Sequence, residues 1–411
     1  MYIVLIAFLA LNVYLNYNFY KKNLLSPPGL YSLVLLISSL YGLFWYKKWD
    51  LNNFGVLTTI IILIGAYIFT FISWLIHYIF SKKEDGILAV DTEIQIGNIK
   101  YMIVLFFEVL TIYFSFQYFG GSLSKLSQSI MDYRYSFLQG NDTMPSYLSF
   151  MMNICLVNGY ISGYLIAIYF VLFNKISIKW IISFVLCILA SLFGGSRGGA
   201  VSIIIVTAAI IFTIKQRKDD QQRDLRQNRK MRILLSVGIV LGIMFFVQSS
   251  YWIGRLMEYS PAYYFAIYLS APLKNFDLNL AAVNAGQHIT GSDFRSVNGV
   301  SLGNVGTIYT YEYLHGGVFG VIFISIGVAA FGVILYELVR SKDICSNKFN
   351  LIMIIYAYIF YCISMNIFGG TMVTGFFSLY FLKIVFGAFI LLTFYSMHIT
   401  AHGKLVLKRI L

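Results

Sequence analysis

Charge is scarce in this sequence. Only 11% of its 411 residues are Asp, Glu, Lys or Arg, whereas 59% are hydrophobic and the mean hydropathy is +0.76. That balance excludes a soluble globular domain. Five prolines and four cysteines exclude a collagenous, disordered or disulfide-stapled chain. Cys155, Cys187 and Cys362 fall in apolar runs and Cys345 in a short basic loop, without metal-ligand spacing, so they read as packing residues. A Walker A loop, a GxGxxG after a strand, an HExxH and an external DxD are also missing. ATP-driven transport and nucleotide-sugar glycosyl transfer are therefore disfavoured, and no metal or cofactor is expected.

Long apolar runs fill most of the chain. A span needs roughly 20 apolar residues, and the expectation is an all-α, polytopic membrane protein of about eleven spans (about 10 to 12). They run approximately Tyr2 to Phe19, Gly29 to Trp45, Phe54 to Phe80, Asn98 to Phe119, Ser146 to Phe173, Trp180 to Phe193, Gly198 to Ile214, Met231 to Ser250, Tyr313 to Leu338, Leu351 to Phe368 and Gly375 to Met397. The sixth and seventh form a hairpin about the turn Gly194-Gly195-Ser196-Arg197-Gly198-Gly199. The first twenty residues lack a basic n-region and a small-residue cleavage site, and read as a first span rather than a signal peptide. One membrane domain covers residues 1–411, with long outer loops at 120–145 and 251–312 and a basic cytoplasmic loop at 215–232.

About two-thirds of the 30 Lys and Arg residues lie in one set of loops, which the positive-inside rule makes cytoplasmic. The amino terminus is then outside and the carboxyl terminus inside. Nearly all of the net +13 thereby reports topology, and nucleic acid is not an expected partner. The run KQRKDDQQRDLRQNRKMR reads as a solvated loop facing anionic lipid. On the other side, YSPAYYFAIYLSAPLKNFDLNL suits an amphipathic or half-inserted helix lying on the membrane, and the large outer loop is expected to contain short amphipathic helices. With the loop at 120–145 it can roof an outer cavity.

Glu108 and Lys383 fall inside spans, where a lone charge is costly, and are expected to pair with each other, as a structural ion pair or else as the acid-and-base relay of a proton-coupled transporter. Arg197 in GGSRGG sits at the outer boundary, where flanking glycines let backbone N–H groups and a ligand approach; its partner is a pyrophosphate-like anion or else a lipid phosphate or loop carboxylate. Arg255 in YWIGRLMEYS is a site arginine or an aromatic-belt anchor. Arg295 in TGSDFRSVNGVSLGNVGT is a site or ordinary loop residue, and Arg134 in MDYRYSF is a site arginine or a solvated or Asp132-paired charge. His288 and His315 are the outward histidines. His315 follows Glu312 by three residues in YEYLHGGVFG, so the two share a helix face, as a general base with its orienting partner or as a boundary capping pair. The run GGVFG reads as close helix packing by small residues.

Taken in order, FGGSRGGAVSIII, YLSAPLKNFDLN and GNVGTIYTYEYLHGGVFGVIFISIGVAAFG resemble segments of the O-antigen polymerase (Wzy) type of oligosaccharide repeat-unit polymerases. The resemblance implies a membrane glycosyltransferase with a GT-C-like architecture, multi-pass in the cytoplasmic (inner) membrane, acting at its periplasmic or exterior face. Such an enzyme moves a growing glycan from undecaprenyl pyrophosphate to the terminal sugar of a second lipid-linked repeat unit. Its implied partners are undecaprenyl-pyrophosphate-linked oligosaccharide, membrane lipid and a chain-length regulator. Carried over by position, Arg197 matches the family's arginine turn and binds pyrophosphate. Arg255 and Arg295 lie in the large outer loop, where the family also uses arginines, and Arg134 joins them as an anion-binding candidate from the residues alone; His315 is the catalytic residue, with Glu312 as its partner or replacement. O-antigen ligases share the architecture but place a His-Asn pair about eleven residues before the GxxG, where this chain has Gly306-Thr307. A flippase of lipid-linked oligosaccharide is the non-enzymatic alternative, though no internal repeat is present.

Overall fold

The computed structural model describes residues 1–83, 85–138, 144–195, 197–222, 260–289, 294–368, 375–399 and 405–407, with isolated positions at 242, 244, 245, 248, 249 and 373. In chain order the helices are α1 (Tyr2–Phe19), α2 (Pro27–Gly42), α3 (Val56–Phe80), α4 (Asn98–Tyr118), α5 (Leu126–Leu138), α6 (Ser146–Phe173) and α7 (Ile178–Leu192). They continue with α8 (Gly198–Gln222), α9 (Pro261–Leu269), α10 (Ala271–Asn284), α11 (Ile308–Ser341), α12 (Leu351–Ser364) and α13 (Leu379–Ser396). Among the described residues 8 helices are long and apolar enough to cross a membrane, and α7 and α12 are shorter apolar helices. The chain is a polytopic membrane protein. Of the expected spans, only that at 231–250 falls almost wholly outside the described residues.

The chain divides into two compact units, the first comprising Met1–Asp85, Ser260–Ser341 and Ile359–Phe381, and the second Gly86–Tyr259, Lys342–Tyr358 and Leu382–Leu411. In the first unit, α1 packs on α2 and α3 through a polar seam. Asn12 Nδ2 donates to Ser32 Oγ at 3.1 Å, and Thr70 Oγ1 donates to Asn12 Oδ1 at 3.0 Å. One turn on, Asn16 Nδ2 donates to Thr70 Oγ1 at 3.1 Å and accepts at Oδ1 from Trp74 Nε1 at 2.9 Å. The i, i+4 spacing of the two asparagines puts both on the face that meets α3. The α11 helix lies along α3; the Tyr309 hydroxyl hydrogen-bonds that of Tyr31, and the Tyr309 ring rests on Gly65. Toward the other end, buried Glu337 is held at 2.5 Å by His77 Nδ1 and at 2.6 Å by Arg340 Nε.

In the second unit, α6 is sandwiched between α7 and α8. Gly159 and Gly163, four residues apart, face α8: a β-carbon at Gly159 would come within 2.7 Å of Ile203, and one at Gly163 would overlap the Thr207 hydroxyl. Small residues at this spacing let two helices approach closely in lipid, where dispersion rather than water release drives association. The α8 helix runs on to Gln222, two turns past its expected end. Its Arg217 departs from the expected solvated basic loop: it is buried, and Nη1 donates to the carbonyls of Gly86 at 3.1 Å and Lys342 at 2.7 Å. There it staples the segment around the two-residue parallel strands β1 (Leu88–Ala89) and β4 (Ile344–Cys345). The remainder of the basic run, 223–232, lies outside the described residues.

Gly163→Leu should lower the thermal midpoint of the purified protein markedly, since overpacking a tight contact costs about 1–3 kcal/mol. Gly97→Ser, in open space at the start of α4, should leave it unchanged. Equal midpoints for both variants would refute the close α6–α8 contact.

Candidate functional site

The glycine turn between α7 and α8 forms as expected. Gly194 and Gly195 close it by donating to the carbonyls of Ser191 at 3.3 Å and Leu192 at 3.2 Å, and Gly195 takes φ +66°, a left-handed conformation that other residues adopt only with strain. Arg197 follows at the start of α8 and is only 7% exposed. Its position at a helix amino terminus adds the positive end of a macrodipole to a permanent guanidinium charge.

The expected outer loop at 120–145 carries α5, whose Ile130 and Tyr133 pack with Phe119 and Phe193 in a small apolar cluster. This packing lays α5 on the glycine turn: the Arg134 β- and δ-carbons lie 3.5 and 3.7 Å from where a Gly195 side chain would begin. Arg134, the arginine with least in its local sequence to recommend it, thus sits against the turn that carries Arg197.

The segment 260–284 folds as short helices, as expected of the outer loop, but its second half does not lie exposed on a surface. It is two helices, parted at Ser270, and α10 is buried in the protein from Ala271 to Asp277, with Phe276 wholly enclosed. Ser260 caps α9, accepting from Tyr263 N, with Pro261 in the first turn. The polar residues of KNFDLN each have a task. Lys274 Nζ donates to Asp277 Oδ2 at 2.9 Å, and Asp277 Oδ1 accepts from Gly55 N at 2.8 Å and Thr58 Oγ1 at 2.7 Å, capping the start of α3. Asn275 Nδ2 donates to the carbonyls of Leu302 and Val305, fixing the hairpin of β2 (Arg295–Val297) and β3 (Val300–Gly303). Asn279 Oδ1 accepts from Arg295 Nε at 2.8 Å, so Arg295 is a held residue of the first unit rather than a free loop arginine. The sequence signal for all this was a Lys-Asp pair at i, i+3 inside an apolar stretch.

Glu312 and His315 share the first turns of α11, Glu312 half-buried and His315 exposed, with no hydrogen bond between them among the described residues. Asn366 fixes this end of the helix, its carbonyl accepting from Ile308 N at 2.9 Å while its Nδ2 donates to Tyr31 O at 2.8 Å. The GGVFG run serves close packing only at Gly320, where a β-carbon would overlap the backbone carbonyl of Glu312. Gly316 and Gly317 have open space around them, and Gly317, at φ +56° and ψ −145°, breaks α11 just after His315. Glycine is required there because no other residue adopts that backbone conformation without strain.

The predicted residues therefore divide: Arg134 and Arg197 belong to the second unit, Arg295, Glu312 and His315 to the first, and Arg255 lies outside the described residues. Glu108 does not pair with Lys383. Lys383 is exposed, Glu108 is fully buried, and no ion pair joins them among the described residues. A polar cavity of about 770 Å³ elsewhere in the second unit, bounded by residues 91–98, Tyr169, Phe173 and Lys179, includes none of the predicted residues. No family model, curated protein or solved structure matches this chain.

Asp277→Ala should destabilise the protein by about 3–5 kcal/mol, because it strands buried Lys274 and uncaps α3. The double variant Lys274→Met, Asp277→Leu should recover much of that loss in a thermal unfolding assay. A double variant no more stable than the single one would show that the ion pair is not what holds α10.

Proposed function

We propose that the protein is a polymerase of lipid-linked oligosaccharide repeat units, a GT-C-like glycosyltransferase working at the outer face of the cytoplasmic membrane. The observation that carries the reading is the arginine turn: a buried Arg197 at the start of α8, with Arg134 packed against Gly195 of the same turn. Two guanidinium groups and a helix amino terminus are suited to a lipid pyrophosphate, whose charge they compensate without a metal.

In the reaction, the bond between the glycan's anomeric carbon and the pyrophosphate oxygen breaks and undecaprenyl pyrophosphate leaves. The acceptor sugar's hydroxyl oxygen bonds to that carbon, and its proton passes to a base. Arginines favour the transition state because negative charge grows on the departing oxygen as the bond stretches. Glu312 or His315 is the base in this reading. Arg295 and Arg255 are assigned to anion binding by resemblance, and a chain-length regulator is a proposed partner. Gly306-Thr307, in place of a ligase's His-Asn pair, favours polymerase over ligase.

Arg197→Ala should leave surface glycan carrying single repeat units while the protein still accumulates in the membrane. With purified protein and a lipid-linked repeat unit, elongation should fall by about 10²-fold or more, and Arg197→Lys should restore it only in part, because an ammonium lacks the bidentate fork. Wild-type chain length in Arg197→Ala would defeat the assignment. Long polymer stranded on its carrier after deletion would identify a ligase instead, and no elongation with the native repeat unit would favour a transporter.

A further inference from the structure

The second unit holds another polar centre, which the proposed glycosyl transfer does not use. Glu108 lies halfway along α4 with no exposure. Three donors on two neighbouring helices converge on one of its oxygens: Asn158 Nδ2 of α6 at 2.6 Å, Ser183 Oγ of α7 at 2.5 Å and Cys187 Sγ of α7 at 3.1 Å all donate to Oε1. Oε2 is just as buried and has no hydrogen-bond partner among the described residues. The donors are themselves held. Asn158 Oδ1 accepts from the Tyr395 hydroxyl of α13 at 2.8 Å, and Ser183 shares a hydrogen bond of 3.0 Å with Ser162 of α6. The Glu108 carboxyl is thus the hub of a polar box built from α4, α6, α7 and α13.

The asymmetry of that box is informative. An ionised carboxylate spreads its charge over two equivalent oxygens, and a buried one left half-solvated costs several kcal/mol unless a cation lies beside it. No Lys or Arg forms an ion pair with Glu108 among the described residues, and the titratable groups that face it are Tyr101 on its own helix, Cys155 on α6, Cys187 on α7 and Tyr395 on α13. None of these supplies positive charge. A carboxylic acid fits the geometry better. Its carbonyl oxygen takes the three donors, and a neutral hydroxyl left unpaired costs only about 1–3 kcal/mol. A metal cation would need several acceptor oxygens turned toward Oε2, whereas the Asn158 amide and the Ser183 hydroxyl turn their donors to Oε1.

We propose that Glu108 is an intramembrane proton-binding site, a carboxylic acid with its carbonyl at Oε1 and an exchangeable proton on Oε2. Ionisable residues at membrane depth mark proton or ion sites more often than structural ones, and the hydrogen-bonded box explains how this one persists with no salt-bridge partner. Tyr101, two turns nearer the start of α4 on the same face, donates its hydroxyl to the Lys179 carbonyl at 3.1 Å and extends the polar track from Glu108 toward that end of the helix. The site stands independently of the polymerase reading, because none of its residues belongs to the arginine turn.

The test is difference infrared spectroscopy of the full chain in lipid bilayers, wild type minus Glu108→Gln. The expected result is one protonated-carboxyl C=O band, present only in the wild type, shifted by deuteration and lost reversibly as pH is raised. Carboxylate bands assigned to Glu108 at neutral pH would overturn the proposal, as would a C=O band that never exchanges. A carboxylate signal that depends on sodium would assign the site to a metal cation and equally overturn it. A measurement on the wild type alone guards against a misfolded variant: a hydrophobic carbodiimide adds across the acid, its nitrogen taking the carboxyl proton and its central carbon the oxygen, before rearranging to a stable N-acylurea. Mass spectrometry should find one such adduct on Glu108 at low pH and less as pH rises; no adduct at any pH would count against a proton at this position.

Discussion

Hydrocarbon offers no hydrogen bonds, so each polar atom at membrane depth must find its partner within the protein. The architecture of both units follows from that constraint. In the first, Asn12 and Asn16 would each be costly on a lipid-facing α1; turned inward, they tie it to Ser32, Thr70 and Trp74. In the second, Asn158 plays the same part for α6, joining Glu108 to Tyr395. Apolar contact alone brings helices together in lipid without fixing their rotation, because lipid tails are as apolar as leucine. A hydrogen-bonded amide pair fixes it, since rotating a helix by one residue would leave donors unmatched.

Glycine serves two opposite ends in these helices. Gly159 and Gly163 are valuable for the side chain they lack, which lets α8 press against α6. Gly317 is valuable for its backbone, which takes a φ of +56° and interrupts α11. A broken helix inside a membrane protein exposes backbone groups that a continuous one would satisfy, and here it leaves Glu312 and His315 on a short stub whose backbone, at Glu312, rests on Gly320 of the long remainder of α11. The sequence GGVFG is compatible with packing and with a break, and the run does both: Gly317 makes the break, with open space around it and Gly316, and Gly320 the close contact with Glu312.

The spans were legible because they depend on length and hydropathy, which are local. So was the α7–α8 hairpin, since a run of glycines ends one helix and permits the next to begin at Gly198. What stayed hidden was tertiary. KNFDLN in α10 carries amphipathic character, but whether its polar face meets water or the start of α3 depends on Gly55 and Thr58, more than two hundred residues away. Arg217 reads as one charge among many in a basic run, yet two backbone carbonyls from distant segments bury it. The Glu108–Lys383 pairing failed for a related reason: opposite charges inside spans suggest each other, while the neutral donors that actually hold Glu108 look like packing residues. Cys187 is the clearest case, a buried thiol whose sulfur meets the carboxyl.

The scarcity of charge makes the buried ionisable residues few enough to compare. Among the described residues, the buried Asp, Glu, Lys and Arg side chains are Glu108, Arg197, Arg217, Lys274, Asp277 and Glu337. Lys274 and Asp277 neutralise each other, Glu337 is held by His77 and Arg340, and Arg217 rests on carbonyls. Each of these solutions has a structural rationale: Asp277 also reaches Gly55 and Thr58, Glu337 reaches His77 and Arg217 reaches Gly86 and Lys342, so each joins segments remote in sequence at the cost of desolvating a charge, which close geometry offsets. Glu108 is surrounded differently, by neutral donors on one oxygen alone. Arg197 differs in place: it is buried at the start of a helix, on a glycine turn against which Ile130 and Arg134 pack at Gly195. Taking a permanent charge out of water at a helix start is costly, and this guanidinium is the group from which the polymerase proposal sets out.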